Sequence, residues 1–589
     1  MPGISTRTAL VLLAALVLLS NLNVLDNEFL IWDDALLITS NARVQPPTFA
    51  AIARVFDPTD ALAGRTLEFI PLRDLLYALL FRFVGLQAWA FHALSIAVHI
   101  GVCMLVFACG SRWVGERAGL LAAALFAAHP VHVESVAWAA ALKDPTFTAA
   151  ILGSLLFYTR YLREGRKRAY AAALALMVVA LGFKQIAIVM PGLIALVGWT
   201  FGEKKPLQAI KHAIPFGLIT MMVMPLYVII GSRNHVLVDP PGGTRFTGIM
   251  TMAMVYADYV GIFVAPFALS PRYVVPPVMA LSDLRLVASV ALIGALFAVA
   301  LAVRRRSRIP LFGLLWWTVA LLPVMNIIPI PIEMADRYLY LPSVGVAIAA
   351  GAGLTRLLGD PRPALAYGAA AVAAVLISGW TALTIVQNDI WQDDVTLWTR
   401  VLADAPSFYP GRTDLAAAYV RRGDIAKAKS ELEAALSYRP EHATAWLNLG
   451  RIYQDEKNLP KALEAYQQAL THRPDYPVAL NNIGAVQMQL EQWAEARVSL
   501  TRAITLDAEY PTALRNLTAV CMKLGDTACA LSSMRRAIDA RPADRKLFLD
   551  WLKLLRITNQ VEDKAVARAR IDQHFAGDAE IQRAYAELP

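Results

Sequence analysis

The chain has 589 residues, of which 57% are hydrophobic and only 17% charged, against about 25% charged in an ordinary soluble domain. Mean hydropathy is +0.48, and the apolar residues fall in long blocks, which excludes a purely soluble enzyme and a disordered chain. Residues 1–389 hold 29 Lys+Arg against 20 Asp+Glu, whereas residues 390–589 hold 26 of each, so the whole formal charge of +9 sits in the hydrophobic part. There it forms short basic clusters between apolar runs, which are membrane-topology signals and not a nucleic-acid footprint. The composition describes a polytopic membrane domain with a soluble tail.

In chain order, apolar runs long enough to span a bilayer, or nearly so, occur at 8–25, 89–109, 118–140, 145–162, 169–183, 186–201, 213–231, 285–303, 309–329, 342–357 and 364–387. The first follows Arg7 and shows no small-x-small cleavage site before Asp26, so it reads as a retained span. Arg112 and Arg117, the cluster Arg160 to Arg168, Lys204, Lys205 and Lys211, the cluster Arg304 to Arg308, and Arg356 with Arg362 mark the inner side. A further apolar stretch, 249–269, contains Asp258 and is followed by Pro266 and Pro271. It reads as a helix lying in or re-entering the outer interface. Eleven spans then put the N-terminus inside and everything after residue 388 outside. The segments 26–88, 129–144, 183–185, 232–284 and 330–341 face the outer side.

Those outer segments carry the residues that membrane structure alone does not explain. Asp33 and Asp34 are adjacent carboxylates that repel each other, so they imply a cation, a basic partner or water. One can act as general base toward an acceptor hydroxyl or help hold a divalent ion; the pair can also be solvated or cap a helix over 35–40. In His129-Pro130-Val131-His132-Val133-Glu134, Pro130 can start a short helix, and His132 and Glu134 can orient one another or a sugar hydroxyl. A zinc site would need a third ligand, and none stands at a recognised spacing. Glu134 lies in an otherwise apolar stretch, where a carboxylate is costly unless it faces a wet cavity. Lys143 and Asp144 end the same loop as a site element or an interfacial ion pair. Lys184 and Arg337, near the outer boundary, suit a lipid-linked phosphate or snorkelling into headgroups. There is no P-loop, Rossmann glycine pattern or Gly-x-Ser-x-Gly elbow, which disfavours soluble-nucleotide chemistry. Gly351-Ala352-Gly353 belongs to close helix packing. Cys103 and Cys109 lie in an apolar helix and pack as small hydrophobes, and Cys521 with Cys529 can pair only in an oxidising compartment.

From residue 407 the sequence repeats every 34 residues. Ala445, Ala479 and Ala513 align, as do Ala462, Ala496 and Ala530, then Ala469, Ala503 and Ala537, while Pro440, Pro474 and Pro542 close their units. This is the tetratricopeptide pattern of paired helices, with a degenerate region at 543–589 as its cap. Such a solenoid presents a groove to peptide or protein, or serves as a spacer. Asn448, Asn482 and Asn516 recur at the same period and can hydrogen-bond a peptide backbone or stay within the repeat. The zero net charge of this tail argues against capture of nucleic acid or anionic lipid.

Taken together, several strings resemble bacterial relatives of the transmembrane and tetratricopeptide repeat-containing (TMTC-type) O-mannosyltransferases of the GT-C glycosyltransferase superfamily. They are Trp32-Asp33-Asp34 with Asn41, Phe91-His92 with His99, His129 to Trp138 with Lys143-Asp144, and Phe183-Lys184. Arg337-Tyr338-Leu339-Tyr340-Leu341-Pro342, Trp391 and the repeats complete the match. Where such relatives carry Arg-Pro-Leu, this chain reads Ile70-Pro71-Leu72 with Arg73 displaced, and Ala141-Leu142 precede Lys143-Asp144 in place of Glu-Arg. The resemblance implies an all-α, GT-C-like membrane bundle of about 11 spans over 1–388, a short linker at 389–406 and a repeat domain over 407–589. It implies transfer of a sugar from a polyprenyl-phosphate donor to a protein hydroxyl at the periplasmic face of a bacterial inner membrane. Asp34 by preference, with Asp33 and Glu134, would be catalytic. His129, His132, Lys143, Asp144, Lys184, Arg337 and Tyr340 would bind substrate, and Asn448, Asn482 and Asn516 would bind acceptor. No redox cofactor is required, and a divalent cation stays open. The alternatives are an oligosaccharyltransferase using a lipid-diphosphate donor and a non-catalytic membrane-anchored repeat scaffold.

Overall fold

A computed structural model of the chain describes residues 5–41, 44, 49–58, 69–202, 206–233, 238–542, 544–560 and 563–588. Lys204 and Lys205 lie outside the described residues. The chain divides into two compact units, Met1–Ala405 and Pro406–Pro589. Among the described residues both are helical, without a strand.

The first unit contains α1 (Thr6–Asn21), α2 (Phe49–Val55), α3 (Pro71–Val84), α4 (Ala88–Val114), α5 (Glu116–Ala128) and α6 (Val133–Ala137). It continues with α7 (Lys143–Glu164), α8 (Lys167–Phe183), α9 (Met190–Phe201), α10 (Pro206–Arg233) and α11 (Arg245–Val264). The last five are α12 (Leu284–Val303), α13 (Ile309–Leu321), α14 (Pro342–Leu358), α15 (Pro363–Asn388) and α16 (Asp394–Asp404). Six helices among the described residues are long and apolar enough to cross a membrane: α1 with its 3-10 extension to Asp26, α4, α10, α11, α12 and α15 with its extension to Trp391. The pair Glu116–Ala128 and Pro130–Ala137 would be a seventh, bent by 59°. Small residues let α4, α5 and α14 touch. A Cβ on Gly119 would sit 2.5 Å from Ser111 N, and one on Gly351 would sit 2.4 Å from Ala118 O.

The stretch expected to lie in or re-enter the outer interface forms the 20-residue α11. It runs in the same direction as α12: Met250 and Met254 pack with Leu286 near the two N-terminal ends. At the other ends, Val260, Phe263 and Val264 share a cavity with Leu296, Val299 and Ala300. Parallel neighbours require the chain to return between them, and residues 265–283 do so as non-helical chain alongside α11, where Val278 N donates to Thr251 Oγ1 at 2.9 Å. Residues 245 and 284 therefore lie at the same end of this helix pair.

The second unit is a solenoid of four helix pairs, α17 (Tyr409–Arg422) with α18 (Ile425–Tyr438), α19 (Ala443–Asp455) with α20 (Leu459–His472), α21 (Pro477–Gln489) with α22 (Trp493–Leu506), and α23 (Pro511–Lys523) with α24 (Thr527–Ala540). The nine periodic alanines are fully buried. Gly450 faces Tyr466 so closely that a Cβ would lie 2.5 Å from the ring, so an alanine there forces the pair apart. The end of the chain, α25 (Arg545–Thr558), α26 (Lys564–His574) and α27 (Ala579–Ala586), buries Phe548, Trp551 and Ile581 in one core with Leu514 and Met534 of the fourth pair.

Candidate active site

The site is built where a transmembrane-like helix breaks. Helix α5 stops at Ala128 because Pro130 has no N–H to continue it, and the chain turns through the 3-10 segment Pro130–His132 into α6. The 59° bend carries Glu134 inward, where it is only 1% exposed. Glu134 Oε1 pairs with the Arg337 guanidinium, and Oε2 accepts the Arg337 backbone N–H at 2.7 Å. Arg337 also lies 5.4 Å over the Trp138 ring and 5.1 Å over Tyr338.

A second buried pair joins Asp144, at the start of α7, to Lys184, at the end of α8. Asp144 lies within electrostatic reach of Glu134 and Arg337, so the two pairs form one polar cluster. Asp144 Oδ2, Ser135 Oγ and Trp138 Nε1 are all buried and have no hydrogen-bond partner among the described residues. Lys143, next in the chain, is half-buried.

Asp34 is fully buried. Its Oδ2 accepts Leu30 N and its Oδ1 accepts Ala140 N, both at 2.8 Å, so it fastens the first loop to the loop after α6. Burial, the largest influence, pushes its carboxyl up to about 7, against the two backbone N–H bonds. Asp33 beside it is half-buried and makes no hydrogen bond to the protein among the described residues. Trp32 stacks among Trp138, Trp391 and Trp398, with ring centroids 5.2, 6.4 and 5.3 Å away. Ile31 N donates to Asp394 Oδ1 at 2.9 Å. The segment expected as a linker thus closes against the first loop, partly as helix α16.

The histidines serve the frame of this cluster. His129 Nε2 bonds Phe263 O at 2.9 Å, His132 Nδ1 bonds Phe126 O at 2.8 Å and His132 Nε2 meets Ser343 Oγ at 2.9 Å. The Tyr340 hydroxyl meets His99 Nδ1 at 2.6 Å. Among the described residues no three His, Cys, Asp or Glu side chains are grouped to hold a metal ion.

Sequence reasoning passed over Asp74, Tyr77, Asp336 and Asp394, and gave Arg73 no role. Arg73 and Asp74 are buried on α3 with Nε to Oδ1 at 2.8 Å. Tyr77 OH lies 3.0 Å from Ala140 O, and Tyr273 OH donates to Asp336 Oδ1 at 2.6 Å. The available signal was α3 itself, whose polar residues 73, 74 and 77 share its buried face while Leu79 and Phe83 are exposed.

Within the solenoid, Asn448, Asn482 and Asn516 are half-buried at equivalent positions. Asn516 Nδ2 donates to Asn481 Oδ1 at 2.9 Å, and Asn481 Nδ2 donates to Asn482 Oδ1 at 3.2 Å. Two of the three are therefore tied into a ladder across repeats.

Residues 413–477 match the tetratricopeptide repeat family. The human protein O-mannosyl-transferase TMTC4 is 26% identical, over 55% of this chain and 51% of that protein. The human protein O-mannosyl-transferase TMTC1 is 24% identical, over 77% of this chain and 58% of that protein. The chain spans about half the length of the curated relatives it matches. A solved structure of pilF from Pseudomonas aeruginosa aligns with 36% of this chain and 93% of its own, at 19% identity and a TM-score of 0.28. The chain is a distant relative of the TMTC-type proteins and carries tetratricopeptide repeats.

Proposed function

We propose that this protein is an integral-membrane glycosyltransferase that moves a sugar from a polyprenyl-phosphate donor to a protein hydroxyl on the outer side of a bacterial inner membrane, with the solenoid holding the acceptor. The observation that carries the reading is the buried cluster of Glu134–Arg337 and Asp144–Lys184 around orphaned polar atoms. Burying two ion pairs costs more than packing apolar side chains there, and a passive scaffold has no use for them. Asp144 Oδ2, Ser135 Oγ and Trp138 Nε1 supply the kind of unpaired groups that fix hydroxyls of a bound sugar. The apolar cavity of about 430 Å³ between α11, α12, α13 and α14, which reaches Phe263 beside His129, suits an isoprenoid chain.

In the reaction the acceptor oxygen bonds to C1 of the sugar as the bond from C1 to the phosphate oxygen breaks. The hydroxyl proton passes to a first-loop carboxylate, and the leaving phosphate takes its charge to Lys184 and Arg337, which turn from their carboxylates toward it. Asp34, the base expected from the sequence, already spends both oxygens on backbone N–H groups. We therefore assign proton acceptance to Asp33 and positioning of the loop to Asp34. No oxidation state changes, so no redox cofactor enters. His129, His132 and Tyr340 frame the site, and Asn448, Asn482 and Asn516 line the acceptor path in this reading.

The test is transfer from a synthetic polyprenyl-phosphate sugar to peptide by the purified full-length protein. Asp33→Asn should lower kcat by about 10²–10⁴ with little change in thermal unfolding, as for loss of a general base. Wild-type turnover in Asp33→Asn would remove the base assignment, and turnover only with a lipid diphosphate would favour the oligosaccharyltransferase reading.

A further inference from the structure

In the four helix pairs of the solenoid, residues 419 and 427, 453 and 461, 487 and 495, and 521 and 529 are the same two positions at period 34. Each pair stands eight residues apart, across the turn that joins the two helices. In the first two repeats these positions pin the helices without a covalent bond: Lys427 Nζ lies 5.3 Å from the Tyr419 ring centroid, and Lys461 Nζ lies 5.7 Å from that of Tyr453. In the third repeat, Gln487 turns to Ser499 instead, accepting from its hydroxyl at 2.8 Å. In the fourth, the two positions are Cys521 and Cys529, joined as a disulfide with Cα atoms 5.8 Å apart. That separation is within the range a disulfide needs, and the repeat register supplies it: the backbone geometry that lets Tyr meet Lys brings two sulfurs together. The other cysteines, Cys103 and Cys109, are buried and free.

We infer that Cys521–Cys529 is closed in the cell by a thiol–disulfide exchange protein of an oxidising compartment, and that the solenoid therefore folds on the outer side of the membrane. Structural disulfides persist in such compartments and are rare in the cytosol, where thiols are kept reduced. Cys529 is half-buried in the first turn of α24, where its N–H donates to Asp526 Oδ1 at 3.0 Å, whereas Cys521 is fully buried in α23. The accessible Cys529 thiolate attacks the disulfide of the exchange protein, forming a mixed disulfide and releasing one of that protein's thiolates. Cys521 then attacks the Cys529 sulfur and releases the second. Two protons and two electrons leave the pair, and the exchange protein ends as a dithiol. This placement of the solenoid owes nothing to the count of basic clusters or to the transfer reaction.

The test counts free thiols in the full-length protein taken directly from cells. Cells are quenched in acid, the protein is denatured, and a maleimide polymer that adds visible mass is applied with and without prior reduction. Two tags before reduction, from Cys103 and Cys109, and four after it are expected, while the Cys521→Ser/Cys529→Ser double variant carries two in both cases. Four tags before reduction overturn the inference. A reporter enzyme active only in an oxidising compartment, fused after Pro589, is expected to be active. An inactive, cytosolic reporter on a chain whose pair is oxidised overturns the compartment assignment. Neither readout involves sugar transfer, so failure of the proposed activity would leave both unchanged.

Discussion

The two units handle charge in opposite ways. In the membrane half, Glu134–Arg337, Asp144–Lys184 and Arg73–Asp74 are all buried, every side chain below 10% exposure. In the solenoid, pairs such as Arg497–Asp526 and Arg545–Asp578 sit on the surface, with at least one partner half exposed or nearly so. A surface pair is dispensable because water replaces either partner. A buried pair is not, because removing one member strands the other in a low-dielectric interior. Among the described residues, ion pairs with both members buried are confined to the first unit, and that is where the proposed chemistry belongs.

The sharpest way to break this contrast is Glu134→Gln. It leaves Arg337 buried beside a neutral amide and should cost about 3–5 kcal/mol, read as a fall in the unfolding midpoint of the purified protein, together with loss of transfer. Replacing both members, Glu134→Leu with Arg337→Met, should recover much of the stability and none of the activity. Equal unfolding midpoints for wild type and Glu134→Gln would show that the pair is not truly desolvated.

Asp34 gives the contrast a pH dependence. Its folded-state pKa is raised from 3.8 to about 7 by burial, so the folded protein binds its proton more tightly than the unfolded chain. The stability this brings is complete below about pH 4 and is lost as pH rises through 7. Asp34→Asn should flatten that part of the profile of unfolding temperature against pH. Below about pH 4 it should also lower stability by about 1–3 kcal/mol, because an amide accepts only one of the two N–H groups at Leu30 and Ala140, and this deficit should shrink as pH rises through 7. An unchanged slope would count against the raised pKa.

Smaller effects belong to the solenoid. Cys529→Ser removes a cross-link over a short loop and should cost about 2–3 kcal/mol, seen as faster amide exchange confined to α23 and α24. Arg497→Ala, which removes an exposed partner of Asp526, should cost less than about 1 kcal/mol. A penalty as large as that of Glu134→Gln would erase the distinction between the units.

Much of this was legible residue by residue. The 34-residue period, with alanine wherever two helices touch, specifies the helix pairs because small side chains at fixed spacing admit one close packing. The break at His129-Pro130 is likewise local, since Pro130 lacks the N–H that would continue the helix. The first-loop carboxylates were found as a pair, but the difference in their partners was not. Adjacent in sequence, Asp33 and Asp34 look equivalent, and only the fold aims Asp34 at two backbone N–H groups and leaves Asp33 free of them. Tyr77 and Asp74 were missed because a helix that buries its polar face against a site and exposes Leu79 and Phe83 reverses the usual amphipathic pattern.

Sequence by itself determined the two-part organisation, the helical class of both parts, the repeat register and the chemically unusual residues. All of these follow from local periodicity, composition and the conformational limits of single residue types. The tertiary structure alone decided which charges meet. Glu134 finds Arg337 across 203 residues and Asp144 finds Lys184 across 40, and α11 runs parallel to α12 with a non-helical return between them. Such partnerships depend on how helices of similar apolar composition stack, and hydropathy is nearly blind to that choice. The energies that select it, small-residue contact and the pairing of buried charge, exist only once the helices are side by side.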